Sequence, residues 1–314
     1  MVKLSENALN LLTARTFKGV GRKWINDNLV GAISDEEMSA RLAARLVPGV
    51  SLSQFRAVRE TLRRRIDALG VSIDGVVGSG DADFPEIAAG VKTADRPIAL
   101  FYKGDIGLLS QRTRNVAVIG MLDPTEAIVA DETHVVRRLV ADGHCIVSGL
   151  ARGCDTVGHM TALRHGGKTV AFLAGPLNEV NPPSNRSLAD EIVQNGGLLV
   201  SEYYANPSSR YEFLGRYVER DRLQAMFVRC VVLAASYAEN KMGLDCGSRH
   251  ALGKAKEYGV PRAVIYNAAQ DLNSPMYDLN RVELSEGAQR IDPKVDGSIR
   301  LPRVADAIRQ CELF

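Results

Sequence analysis

Apolar positions change their rhythm near residue 115, and the change divides the chain. Through residues 1–70 they recur at three- and four-residue spacing, in ALNLLTARTF, MSARLAARLV and SQFRAVRETLRRRIDAL, the rhythm of helices with one buried face. Beyond Asn115, short apolar runs at 116–120, 145–149, 169–175, 198–202, 230–236 and 262–267 alternate with helical stretches such as ADETHVVRRLVADG and DTVGHMTALRHGG. Near-continuous apolar strands with helices between them imply a mostly parallel sheet covered on both faces. The pattern therefore predicts an α/β fold, a doubly wound sheet preceded by a small all-helical domain. The expected divisions are a helical domain at 1–72, a connector at 73–110, the α/β core at 111–268 and a C-terminal extension at 269–314. The connector holds RPIALFYKG, which could add an edge strand, and the extension ends in a short helix, LPRVADAIRQCEL.

Composition narrows the class. The 314 residues are 46% hydrophobic and 24% charged, in the range of a folded globular protein. No run approaches the length of a membrane span, and MVKLSENALNLL does not read as a signal peptide, so no membrane partner is expected. Five scattered cysteines without a CxxC pair argue against a disulfide framework or a metal site and fit a reducing cytoplasm. Cys145 and Cys230 open predicted strands and read as small buried residues.

Net charge is only +2, but residues 1–70 hold 12 Lys/Arg against 7 Asp/Glu. Two turns in this stretch, KGVG at 18–21 and PGVS at 48–51, resemble helix-hairpin-helix units. Such turns can offer backbone N–H groups to a phosphate, with Arg15, Arg22 and Lys23 nearby. They read equally as ordinary turns in a small bundle, with the charge spread over a solvated helical surface.

In an open parallel sheet, ligands bind beyond the carboxyl ends of the strands. The segment SGLARGCD, 148–155, occupies such a position. Ser148, Gly149 and Gly153 permit a tight path, Asp155 is placed to cap the following helix, and Arg152 offers planar donors to a phosphate or carboxylate. Arg152 could instead pair with a neighbouring carboxylate such as Asp155. Ser201 and Glu202 end another strand, before Tyr203 and Tyr204, which could stack on bases or fill a core. Arg216, Arg220 and Arg222 would bring positive charge to the same edge, and Ser248 with Arg249, near a helix start, forms a further phosphate seat. Asn178, Asn181 and Asn185 shape a proline-rich rim. No GxGxxG, HExxH, phosphate-loop lysine or GxSxG pattern is present, so neither cofactor, metal nor catalytic residue is predicted. His159 reads as a packed helix residue rather than a general base.

These segments, with ALFYKGDIGLL, NPPSNRSLADEIVQNGGLLVSEY and RDR, make residues 98–267 similar to the DNA-processing protein A family, also called DprA or Smf. The strongest element is SGLARGxD followed by AxxxGGxT. The resemblance implies a Rossmann-like core that binds single-stranded DNA, a helix-hairpin-helix-like or sterile-alpha-motif-like N-terminal domain, a homodimer and a RecA-type recombinase as partner. It implies a basic pocket of Arg152, Lys168, Arg220 and Arg222, a turn ordered by Asp155, and a site lined by Ser201 and Glu202. This chain departs from the family pattern at Gly120–Leu122, where GML replaces GSR or GTR. It departs again at Asp221, which stands where the family has asparagine, and in the late loop KMGLDCGS. Two functions follow as expectations. One is non-enzymatic binding of single-stranded DNA by its backbone. The other is an enzyme or sensor for a nucleotide-derived, phosphate-bearing small molecule, with Glu202 or Asp155 available for acid–base work. An open basic groove distinguishes the first, a closed cavity beside residues 148–155 the second.

Overall fold

The computed structural model describes residues 2–31, 34–46, 49–238 and 247–303. A short strand β1 (Lys3–Leu4) leads into four helices, α1 (Glu6–Arg15), α2 (Arg22–Asn28), α3 (Asp35–Arg45) and α4 (Leu52–Asp67). Ser5, Ser34 and Ser51 cap α1, α3 and α4 by accepting backbone N–H groups, and Gln54 completes a reciprocal box with Ser51. The stretch read as a connector forms two strands, β2 (Gly75–Gly78) and β3 (Ala99–Gly104), followed by a single turn α5 (Gly107–Ser110).

The core then runs β4 (Asn115–Ile119), α6 (Glu126–Ala141), β5 (Cys145–Ser148), α7 (Cys154–Arg164), β6 (Thr169–Leu173), α8 (Arg186–Gln194), β7 (Leu198–Ser201), α9 (Arg210–Met226), β8 (Cys230–Leu233), α10 (Ser248–Glu257) and β9 (Arg262–Ile265). The extension adds the turn α11 (Ala268–Asp271), α12 (Asp278–Ser285) and β10 (Gln289–Ile291). All six apolar runs are strands. The predicted terminal helix lies almost entirely outside the described residues.

One ten-stranded sheet results, in the order β1-β2-β3-β7-β6-β5-β4-β8-β9-β10. Pairing is parallel from β7 to β10, while β3 is antiparallel to both β2 and β7. The sheet thus extends past the predicted core at both ends. Alternation along the strands feeds two cores. Leu100, Val170, Phe172, Leu198 and Val200 face one; Phe101, Ala171, Leu173 and Leu199 face the other, with Leu9, Leu11 and Phe55 of the N-terminal helices. The helical stretch is therefore packed onto the sheet. No helix among the described residues is long and apolar enough to cross a membrane.

Asp81 ties these parts together. Its carboxylate accepts from Ser5 Oγ at 2.6 Å, Asn7 Nδ2 at 2.8 Å and the Gly78 N–H at 2.7 Å, linking the start of α1 to the end of β2. Asp81→Ala leaves those donors without their acceptor and is expected to cost about 2 kcal/mol. Urea unfolding followed at Trp24, the single tryptophan, measures it. An unchanged midpoint and slope would show that this junction does not hold α1 to the sheet.

Candidate nucleic-acid interface

Strands β5, β6 and β7 lie on one side of β4, and β8, β9 and β10 on the other. The loops leaving β4 and β8 therefore diverge at the carboxyl edge, where doubly wound sheets bind ligands. The turn after β5 stands beside this point and is fastened from several directions. Ser148 Oγ donates to the Val118 carbonyl at 2.7 Å, and the Cys154 N–H to that of Met121 at 3.0 Å. Leu150 is buried in the left-handed region at φ 58°, an unfavourable conformation for its branched side chain. Asn185 Nδ2 holds it there, bonding the Leu150 carbonyl at 2.9 Å and Thr156 Oγ1 at 2.9 Å.

Gly153 has φ 73°, and a Cβ added to it would lie 2.3 Å from the Met121 oxygen and 2.4 Å from that of Leu122. No side chain fits there. Asp155, expected to cap α7, instead gathers the turn, accepting from the N–H groups of Gly149 at 3.1 Å and Ala151 at 3.2 Å.

The arginines are divided between two duties. Arg220 is 5% exposed and lies so close under the turn that a Cβ on Gly149 would fall 1.2 Å from its Nη1. It donates to the Phe172 carbonyl at 3.2 Å and stands 3.9 Å from Asp155 and 3.2 Å from Asp221. The aspartate that departs from the family pattern is thus a partner of Arg220. Arg222 is 2% exposed, with Nη2 2.8 and 2.7 Å from the two oxygens of Glu202. Arg216 reaches Glu212 at 2.6 Å and covers the Tyr203 ring at 4.0 Å.

Arg152 differs from all of these. It is exposed, and it makes no hydrogen bond or ion pair with a described residue, Asp155 included.

The expected four-residue basic pocket is therefore corrected. Arg220 and Arg222 are buried and neutralised by carboxylates. Lys168 precedes β6, whereas Arg152 follows β5, so the two lie at opposite ends of parallel strands, about 15 Å apart along the strand direction. Lys168 Nζ instead bonds the Asn195 carbonyl at 2.6 Å. Ser201 Oγ donates to the Gly175 carbonyl at 2.7 Å, and Ser248 Oγ to that of Gly120 at 3.2 Å. Both hydroxyls fasten loops at the edge. In the N-terminal stretch Arg22 turns to Glu219 at 2.6 Å, while Arg56, Arg59 and Arg63 pair with Asp35, Glu36 and Glu6. Pro48 of the second predicted turn, and residues 241–246 of the late loop, lie outside the described residues.

The crevice at the divergence point, lined by Gly120, Asp155, Arg220, Gln224 and Ser248, measures about 20 Å³, room for a water molecule. Small-molecule sites occupy about 300–1,000 Å³.

Beneath the turn, His159 is fully buried. Its Nδ1 lies 2.6 Å from Thr169 Oγ1, whose own proton goes to the Ile146 carbonyl at 2.7 Å. Nδ1 therefore carries the hydrogen, and Nε2 has no partner among the described residues. Burial, with Arg220 adding repulsion, drops the imidazole to about 3. It is a neutral packing residue. Glu132, which pattern reading missed, is also fully buried. Burial pushes its carboxyl well up, opposed by a hydrogen bond with the Cys154 thiol and reinforced by Asp155. Its sequence signal was a glutamate at core spacing with Ile128, Val135, Val136 and Leu139 on α6.

Two outcomes follow. Gly153→Ala should cost at least about 2 kcal/mol, because φ and space are both wrong for a Cβ; a midpoint within error of wild type in urea would contradict the close approach. Below pH 6.5 the unfolded chain protonates His159 while the folded chain does not, so stability falls as pH drops toward 3. Glu132 acts in the opposite sense but is common to both proteins compared. The stability advantage of wild type over His159→Gln should shrink by about 2 kcal/mol from pH 7 to 5. A constant difference would mean that His159 titrates while folded.

The family model for DNA recombination-mediator protein A matches residues 75–294. The chain is 31% identical over 172 residues to the DNA processing protein DprA of Streptococcus pneumoniae, covering 54% of this chain and 58% of that protein. It is 34% identical over 109 residues to the protein of that name in Bacillus subtilis, covering 35% and 36%. These matches span about half or less of each relative's length. The X-ray structure of the pneumococcal protein superposes with a TM-score of 0.68 at 21% identity, over 98% of both chains, a likeness of fold. The solved structure of DNA processing protein A from Helicobacter pylori, whose single-stranded DNA binding mode has been described, gives 0.55 at 26% identity, over 69% of this chain and 90% of its own. With the matched model running from β2 past β10, the chain belongs to the DNA recombination-mediator protein A family.

Proposed function

We propose that this chain binds single-stranded DNA through its phosphodiester backbone, along the carboxyl edge of β5, β6 and β7, in DNA processing or recombination. The observation that carries the reading is the turn at 149–153. Its buried charges are satisfied from below, while Arg152 stands exposed above and forms no ion pair with a described residue. A rigid turn presenting one free guanidinium suits a phosphate, which accepts two of its N–H groups. Family membership and the strand-binding relative from Helicobacter pylori support the same ligand. The small-molecule reading expects a closed cavity beside residues 148–155, and the described residues leave about 20 Å³ there. Within this reading, residues 111–268 hold the strand, residues 1–72 widen the footprint, and no catalytic group is required. A homodimer, a RecA-type recombinase partner and a cytoplasmic site of action extend the proposal and rest on the family resemblance.

Fluorescence anisotropy with labelled oligothymidylate, at two salt concentrations, tests it. Arg152→Glu should weaken binding about tenfold and reduce the salt slope by about 0.7, the share of one single-strand phosphate contact. Lys168→Glu, at the far edge, should match wild type. Binding and slope both unchanged in Arg152→Glu would overturn the site.

A further inference from the structure

A second opening lies beside this edge, between the N-terminal helices and the core. It measures about 480 Å³ and is lined by the end of α1, the start of β3, residues 202–204 after β7, and one face of α9. A nucleotide-sized ligand fits such a volume.

Its charges are nearly, but not fully, compensated. Arg22 lies 2.6 Å from Glu219 and 3.9 Å from Glu202, Arg216 lies 2.6 Å from Glu212, and Arg222 holds Glu202 from behind at 2.7 Å. Arg15 is the surplus. One of its nitrogens donates to the Val20 carbonyl at 3.0 Å, and it forms no ion pair with a described residue. Two half-buried rings complete the wall. Tyr203 lies beneath Arg216, and Tyr204 packs 5.8 Å from Phe101. Both residues line the opening.

One surplus cation and two aromatic rings match a unit with one negative charge and one planar base. Three carboxylates in the wall disfavour a pyrophosphate or triphosphate, whose added charge would meet Glu202, Glu212 or Glu219. The opening is also continuous with the proposed edge. Strand β7 is two strand spacings from β5, about 10 Å, so a polymer held at Arg152 crosses β6 and arrives at residues 202–204.

We propose that this cleft seats one nucleotide of the bound strand, with Arg15 on its phosphodiester and Tyr203 and Tyr204 against its base. The inference rests on the reading of the chain as a single-strand binder. The N-terminal helices then contribute through the end of α1, at the wall of the cleft, rather than through the arginine-rich α4, where Arg59 and Arg63 are paired with Glu6.

The test compares wild type, Arg15→Gln, Tyr204→Leu and Arg152→Glu by anisotropy on oligothymidylate and on an abasic strand of equal length, with circular dichroism confirming folding. Arg15→Gln should weaken oligothymidylate binding about fivefold and lower the salt slope by about 0.7. Tyr204→Leu should weaken oligothymidylate about fivefold and leave the abasic strand unaffected, since only a base can stack. If Arg152→Glu behaves as predicted while both cleft variants match wild type on oligothymidylate, the cleft proposal is overturned and the edge reading stands. If wild type binds neither strand, both are overturned.

Discussion

A guanidinium buried between two carboxylates underlies the site. Arg220 stands under the turn after β5, with Asp155 on one side and Asp221 on the other, and reaches across to the Phe172 carbonyl of β6. Burying such a charge is costly unless it is paired and hydrogen-bonded, and removing one partner of a buried pair typically costs about 3–5 kcal/mol. The turn therefore cannot relax without stranding a charge. Gly149 is required because the guanidinium occupies the space of its side chain, and Gly153 because two carbonyls occupy that of its own. Asp155 links both requirements by accepting from the turn's backbone while facing Arg220.

This arrangement changes what the arginines mean. A count of positive residues near the edge suggests a basic pocket, yet most of the guanidiniums there are structural. Arg22, Arg216, Arg220 and Arg222 each answer a carboxylate, so their net contribution to the outward field is small. Charge available to a polymer comes from exposed positions such as Arg152 and Arg15, and from Arg186 and Arg210 at the starts of α8 and α9, none of which forms an ion pair with a described residue. Leu122, partly exposed at the rim, offers apolar surface where the family pattern has arginine. In the proposed reading, binding rests on a few well-placed contacts over a rigid edge rather than on a broad basic patch.

Much of this was legible in the sequence because it is local. Six apolar runs became β4 to β9, and SGLARGCD took its place at a strand end, since strand burial and turn chemistry are written in neighbouring residues. Two kinds of feature were not. Strand β1 has two residues and β10 three, too short for any period, and they exist through pairing with β2 and β9. Asp221 neighbours Arg220 in sequence, but Asp155, Phe172 and Glu202, which complete the surroundings of Arg220 and Arg222, come from elements distant in sequence, so whether each charge would be free or neutralised depended on the fold. The position of Lys168 was different. A residue before a strand and one after its parallel neighbour must lie at opposite edges, and that inference was available from order alone.

The central claim is that the wired turn after β5 is where the strand is held. Amide hydrogen exchange, measured with and without saturating oligothymidylate, tests it most directly. Slowed exchange concentrated in residues 149–155 and 201–204, with α4 unchanged, is the predicted result. Protection confined to α4, or to the amino ends of the strands near Lys168, would contradict it.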